Sequence, residues 1–150
     1  MIAEIQPSFA SHTALSRKVE YHMGKIDEGN ARVLYTSTGS DLASFPGDMR
    51  LVSQLNDRVK LPYSEITLSL YPGENLTDEQ WLSLSHEYLR EMGYEHACYA
   101  VILNSDKAHS HVHILTTTID EDGKRISSSN NYARSEKISR ALEESYGLRP

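Results

Sequence analysis

The chain is poor in the residues that mark several common protein classes. Its single cysteine, Cys98, forbids an internal disulfide and points to a reducing, intracellular setting. Cys98 lies in an apolar run and is expected to be a small buried hydrophobe. No apolar run approaches the roughly 18 residues of a membrane-spanning helix. The opening Met1-Ile2-Ala3-Glu4 also lacks the basic region of a secretory signal. Positive charge is scarce as well: the net charge is −6, which argues against broad, non-specific affinity for nucleic acid. A confined basic groove remains compatible with that balance. There is no internal repeat and no low-complexity segment. A hydrophobic content of 39% and a charged content of 24% over 150 residues suit one soluble domain with a proper core.

What the chain does have is histidine, concentrated in one place. Three of its seven histidines, His109, His111 and His113, fall within five residues. A β-branched run, Ile114 to Ile119, follows them. Alternate side chains of a strand leave the same face, so His111 and His113 point together, with Cα atoms about 6–7 Å apart and Val112 turned into the core. Two imidazoles at that separation can close on one divalent cation. His109 would lie about 13 Å from His113 in a regular strand, and needs a bend to join them.

Taken in order, residues 1–5 alternate as a short strand ended by Pro7. A helix follows with Ser11 or Thr13 as N-cap. Leu15, Val19 and Met23 form its apolar stripe, and Arg17, Lys18, Tyr21 and His22 its polar side. Residues 33–35 read as a strand, 47–59 as a helix, and 66–71 as a strand stopped by Pro72-Gly73. Thr77-Asp78-Glu79-Gln80 is a capping box that opens a helix to about Met92, with Gly93 as its stop. Residues 97–103 are a central strand, 110–119 the histidine strand, and 133–146 a last helix. Asp122-Gly123 supplies a turn between them. The loop between 97–103 and the histidine strand is too short for a parallel crossover, so that pair is antiparallel. The expected architecture is α+β: a mainly antiparallel central sheet, helices packed on one face, and the metal-binding histidines on the other.

Tyr21 stands near Arg17, Lys18 and Lys25. A phenolate attacks phosphodiesters once a metal spreads the charge that develops on the phosphate. Glu65, just ahead of a strand, is either a solvated carboxylate or a base or partner for a histidine.

The ordered set of segments resembles the nuclease domain of conjugative and mobilisation relaxases, of the histidine–hydrophobe–histidine endonucleases. The resemblance rests on His111-Val112-His113-Ile114 preceded by Asp106 and His109, on Lys18-Val19-Glu20-Tyr21 with Gly24-Lys25, and on Ile119 to Lys124. Ser129 to Tyr132 and Leu142 to Leu148 extend it. It implies metal-dependent, site- and strand-specific nicking and rejoining at an origin of transfer, with Tyr21 as nucleophile and a 5′-phosphotyrosine intermediate. The implied partners are single-stranded or hairpin DNA and accessory mobilisation proteins, in a bacterial cytoplasm, with residues 1–150 as the front of a longer protein. The family's third metal histidine falls, by register, on Asn104. His111, His113 and Asn104, or His109 in its stead, are therefore the expected ligands, with Asp106 and Glu65 in support. An amide oxygen favours Mg or Mn over Zn or Ni. Arg17, Lys18, Lys25, Lys107, Lys124 and Arg134 are expected to hold DNA. The alternative implied by Asn104 is a relaxase-like binding module whose nicking is weakened or lost.

Overall fold

A computed structural model describes residues 1–105 and 110–150. The expectations for Asp106, Lys107 and His109 fall outside the described residues. Five strands, β1 (Ile2–Ile5), β2 (Ala31–Thr36), β3 (Tyr63–Ser69), β4 (Ala97–Asn104) and β5 (His111–Asp120), form one sheet in the order β1-β3-β5-β4-β2. Every neighbouring pair is antiparallel. Four helices connect and flank them: α1 (His12–Asp27), α2 (Phe45–Ser53), α3 (Asp78–Glu91) and α4 (Asn131–Tyr146). The α+β, antiparallel architecture is the one expected, with β5, the histidine strand, at the centre.

The helices cover both faces, not one, and here the expectation is corrected. α3 and α4 bring Trp81, Leu84, Tyr88 and Leu142 onto Ile66, Leu68, Val101, Val112 and Ile114. α1 and α2 bring Leu15, Val19, Phe45 and Met49 onto Cys98, Ala100, Ile102 and Leu115 on the opposite side. The physical reason is legible in β4, where all eight residues are buried. A strand with no polar face needs cover on both sides. Cys98 is part of that second core, and burial pushes its thiol up to about 11.

Local chemistry sets the element ends. Ser11 caps α1 by accepting a hydrogen bond from Ala14 N at 3.1 Å, and the Thr77–Gln80 capping box opens α3. α2 stops at Ser53, short of the expected 59. The Asn56 side chain accepts from Arg58 N (3.1 Å) and donates to the Gly123 carbonyl (3.0 Å), so it competes with a further helical turn. Leu55 is consequently exposed instead of inward. Gly123 itself sits at φ +80° with Leu55 O 3.2 Å from where a Cβ would lie, so both backbone and space demand glycine.

Candidate nuclease site

Cross-strand register gathers the polar side chains. His113 is opposite Thr67 on β3 and Ile102 on β4; His111 is opposite Ser69 and Asn104. Since facing residues share a side of the sheet, Glu65, Thr67, Ser69, Asn104, His111 and His113 form one polar field next to the α1/α2 core. Their alternates, Ile66, Leu68, Leu103, Val112 and Ile114, build the other core. The His111 and His113 rings stand 5.1 Å apart between centroids, on the same face as the alternation required.

α1 crosses above this field. Leu15, Val19 and His22 lie on its inner side, the last only 2% exposed. Their 15, 19, 22 spacing is itself a helical stripe. His22 was read as part of the polar side; it is instead the residue that completes the stripe, while Met23 is only partly buried. The His22 ring packs 4.7 Å from that of His113.

Glu65 joins α1 to β5. It is buried, which corrects the solvated reading. Its Oε2 accepts from His113 Nδ1 at 2.7 Å and lies 3.6 Å from His22 Nε2, while Oε1 accepts from Lys18 Nζ at 2.9 Å. Burial alone would raise the carboxyl pKa. The hydrogen bonds from His113, His22 and Lys18 and the Lys18 charge outweigh it and hold Glu65 well below the usual carboxylate range. A carboxylate on His113 Nδ1 fixes the ring's orientation and leaves Nε2 for another partner.

Two buried acceptors in the field are unsatisfied. Asn104 is 2% exposed and its Oδ1 has no hydrogen-bond partner among the described residues, nor has His22 Nδ1. Asn104 lines one cavity with His111, His113, Thr67, Ser69 and Tyr21. A second cavity is lined by Arg17, Lys18, Tyr21, His22, Glu65 and His113. Among the described residues only Tyr21 and His113 belong to both. Tyr21 is 58% exposed, beside His22 and under the Lys25 ammonium, whose Nζ is 5.8 Å from the ring centroid. Two donor sets meet at His113: His22, Glu65 and His113, whose ligand atoms lie within 4.8 Å of one another and could hold a metal ion, and Asn104, His111 and His113, which line one cavity.

The family model for relaxases, MobA/VirD2-like, nuclease domain, matches residues 21–148. The chain belongs to that family. No curated protein matches it. A solved structure described as "Molecular Basis of Vancomycin Resistance Transfer in Staphylococcus aureus" shares the fold, with a TM-score of 0.60 and 12% identity over 100% of this chain and 96% of that one.

The relaxase fold brings together Arg17, Lys18, Tyr21, Lys25, Glu65, Asn104, His111 and His113, and separates Lys124 and Arg134 from them. Lys124 follows the far end of β5, seven residues beyond His113 at Asp120, about 23 Å along the strand. Arg134 lies on α4 against the opposite face and donates to the carbonyls of Ser129, Ser127 and Met92. It clamps a loop. Tyr35 is carried by a β2 irregularity onto the α3 side, against His86 and Tyr99. Tyr132 lies at the start of α4, outside both histidine cavities.

Proposed function

We propose that this domain nicks one strand of single-stranded or hairpin DNA at an origin of transfer and reseals it, initiating mobilisation of a plasmid or similar element. The observation that carries the reading is the position of Tyr21, which lines both cavities that reach His113. Its phenol oxygen attacks the scissile phosphorus. The phosphorus–O3′ bond breaks, the strand keeps a free 3′ hydroxyl, and the 5′ phosphate remains on Tyr21. Reversal by a 3′ hydroxyl restores the phosphodiester and the phenol.

The other residues have distinct tasks. Arg17 and Lys25 bring positive charge to the phosphate beside Tyr21. Lys18 is engaged by Glu65, and so tunes that carboxylate more than it binds DNA. Glu65 positions His113 through Nδ1. Asn104, His111 and His113 are the residues that would hold a divalent cation, and the unsatisfied Asn104 Oδ1 supports that set. A bound cation would supply charge for the phosphate oxygens. Mg and Mn suit an amide oxygen ligand better than Zn or Ni do.

The test is incubation of the purified domain with labelled origin DNA, as a single strand, in Mn or Mg. A covalent adduct on a denaturing gel, absent in Tyr21→Phe, is the expected result. Tight DNA binding with no adduct under any of these cations would replace this reading with the binding module.

A further inference from the structure

Positive charge gathers in a second cavity as well. A cavity of about 490 Å³ lies at the other end of the sheet, between the loop before β3, the segment after β5 and the first turn of α4. Arg58, Lys60 and Arg125 line it, with Ser128, Asn131 and Tyr132, and no Asp or Glu is among its described lining residues. In a chain of net charge −6, three cations in one cavity with no carboxylate in its described lining are a local reversal of sign. Neither the Arg58 nor the Arg125 side chain has a hydrogen bond or ion pair among the described residues. Lys60 Nζ donates only to the Asp57 carbonyl, at 2.9 Å. By contrast Lys18, Arg32 and Arg140 are each paired with a carboxylate. α4 adds to the field, since its first turn has no acidic residue and Asn130 makes no side-chain cap. Tyr132 stands 69% exposed at the rim, a free aromatic face.

The cavity shares a lining residue with the histidine site. Gln6, just past β1, lines both this cavity and the one containing Asn104, His111 and His113. β1 is an edge strand, so nothing in the sheet blocks the path around it. From Glu4, in the His113 row, to Ser8, on the cavity, is about 13 Å of chain.

We propose that this cavity is a backbone-binding site for single-stranded DNA flanking the scissile phosphate. The strand leaves the Tyr21–His113 pocket around the β1 edge at Gln6 and seats phosphates on Arg58, Lys60 and Arg125, with a base stacked on Tyr132. This combination of a cationic track and a stacking side chain is the general solution for single strands. The site rests on the nuclease reading for its direction, but its binding is separable from nicking.

The experiment measures fluorescence anisotropy of oligothymidylates of about 6 and about 30 nucleotides over a range of salt concentrations. Wild type, Arg58→Glu/Arg125→Glu and Tyr132→Ala are compared, with circular dichroism and thermal unfolding as folding controls. The double variant should bind the long strand about tenfold or more weakly, with the log–log salt slope reduced by about 1.4 for two lost single-strand contacts. The short strand should bind as before. Tyr132→Ala should weaken the long strand at unchanged slope. Competition by inorganic phosphate at matched ionic strength should be negligible; strong competition would mark a free-anion site and overturn the DNA assignment. Unchanged affinity and slope in a folded double variant would overturn it too, as would a wild type that does not bind the long strand at low salt. A missing Tyr21 adduct alongside the expected binding losses would instead defeat only the nuclease reading.

Discussion

The two faces of β5 are made from alternating residues of one strand, yet they answer to different physics. Val112 and Ile114 point at α3 and α4 and are fully buried in a cluster of Trp81, Leu84, Tyr88 and Leu89. His111 and His113 point the other way, into a field with buried acceptors left unpaired and a carboxylate shared by three donors. The first face minimises free energy by excluding polar groups. The second carries desolvated polar atoms, each costing on the order of 1–3 kcal/mol when unpaired. Such a cost persists where a ligand completes the set. The difference teaches where stability and chemistry are separable in this protein.

Changes on each face should therefore have different signatures. The largest effect is on chemistry: Tyr21→Phe should lower covalent adduct formation by about 10³-fold or more while leaving thermal stability within about 0.5 kcal/mol, since the phenol is exposed. Gel quantification beside a melting curve checks both halves. On the apolar face Ile114→Ala should do the reverse, costing about 2–5 kcal/mol in denaturant unfolding. A small loss there would mean that the face is less tightly packed than its burial indicates.

Glu65 tests the seam between the faces. Its carboxyl is held below the ordinary range, so its contribution to stability is present above the ordinary value of 4.5 and is lost as the pH falls below it. Glu65→Gln should destabilise the protein by about 2–4 kcal/mol at neutral pH and flatten the acid limb of stability below about pH 4.5. An unaltered acid limb would show that the three donors do not act on this carboxylate. Asn104→Ala should weaken Mn binding about tenfold, read by calorimetry, with little change in fold. The same loss in His22→Ala but not in Asn104→Ala would move the cation to the Glu65 side of His113. The smallest effect belongs to the exposed Arg32–Asp78 pair, whose contacts of 2.6 and 2.9 Å look strong. Water and salt screen it, and Asp78→Ala should change stability by only about 0.2–1 kcal/mol.

Much of this was readable beforehand because local patterns carried it. The period-2 alternation of 110–119, the Thr77 capping box and the β-branched run after His113 correspond to β5, α3 and the sheet centre within a residue or two. The field around His113 was only half readable. Asn104 and His111 face one another because of antiparallel register, and the short loop between their strands already implied that pairing. His22 and Lys18 come from a helix roughly ninety residues earlier, and no local pattern encodes that approach. A stripe of Leu15, Val19 and His22 was present, but a histidine at its end reads equally well as polar rim.

The sequence alone determined the elements, the antiparallel pairing of the last two strands, the shared direction of His111 and His113 and the family. The first three follow from backbone periodicity or from short-range spacing, which a linear string records directly, and the family is carried by the resemblance of ordered motifs. Only the tertiary structure decided that helices cover both faces, that Glu65 is buried among three donors, and that Lys124 and Arg134 stand away from the histidines. It also put three cations at the far end of the sheet. The cover of the second face and the burial of Glu65 depend on how α1 crosses from one sheet edge to the other, a packing choice made by the whole core at once.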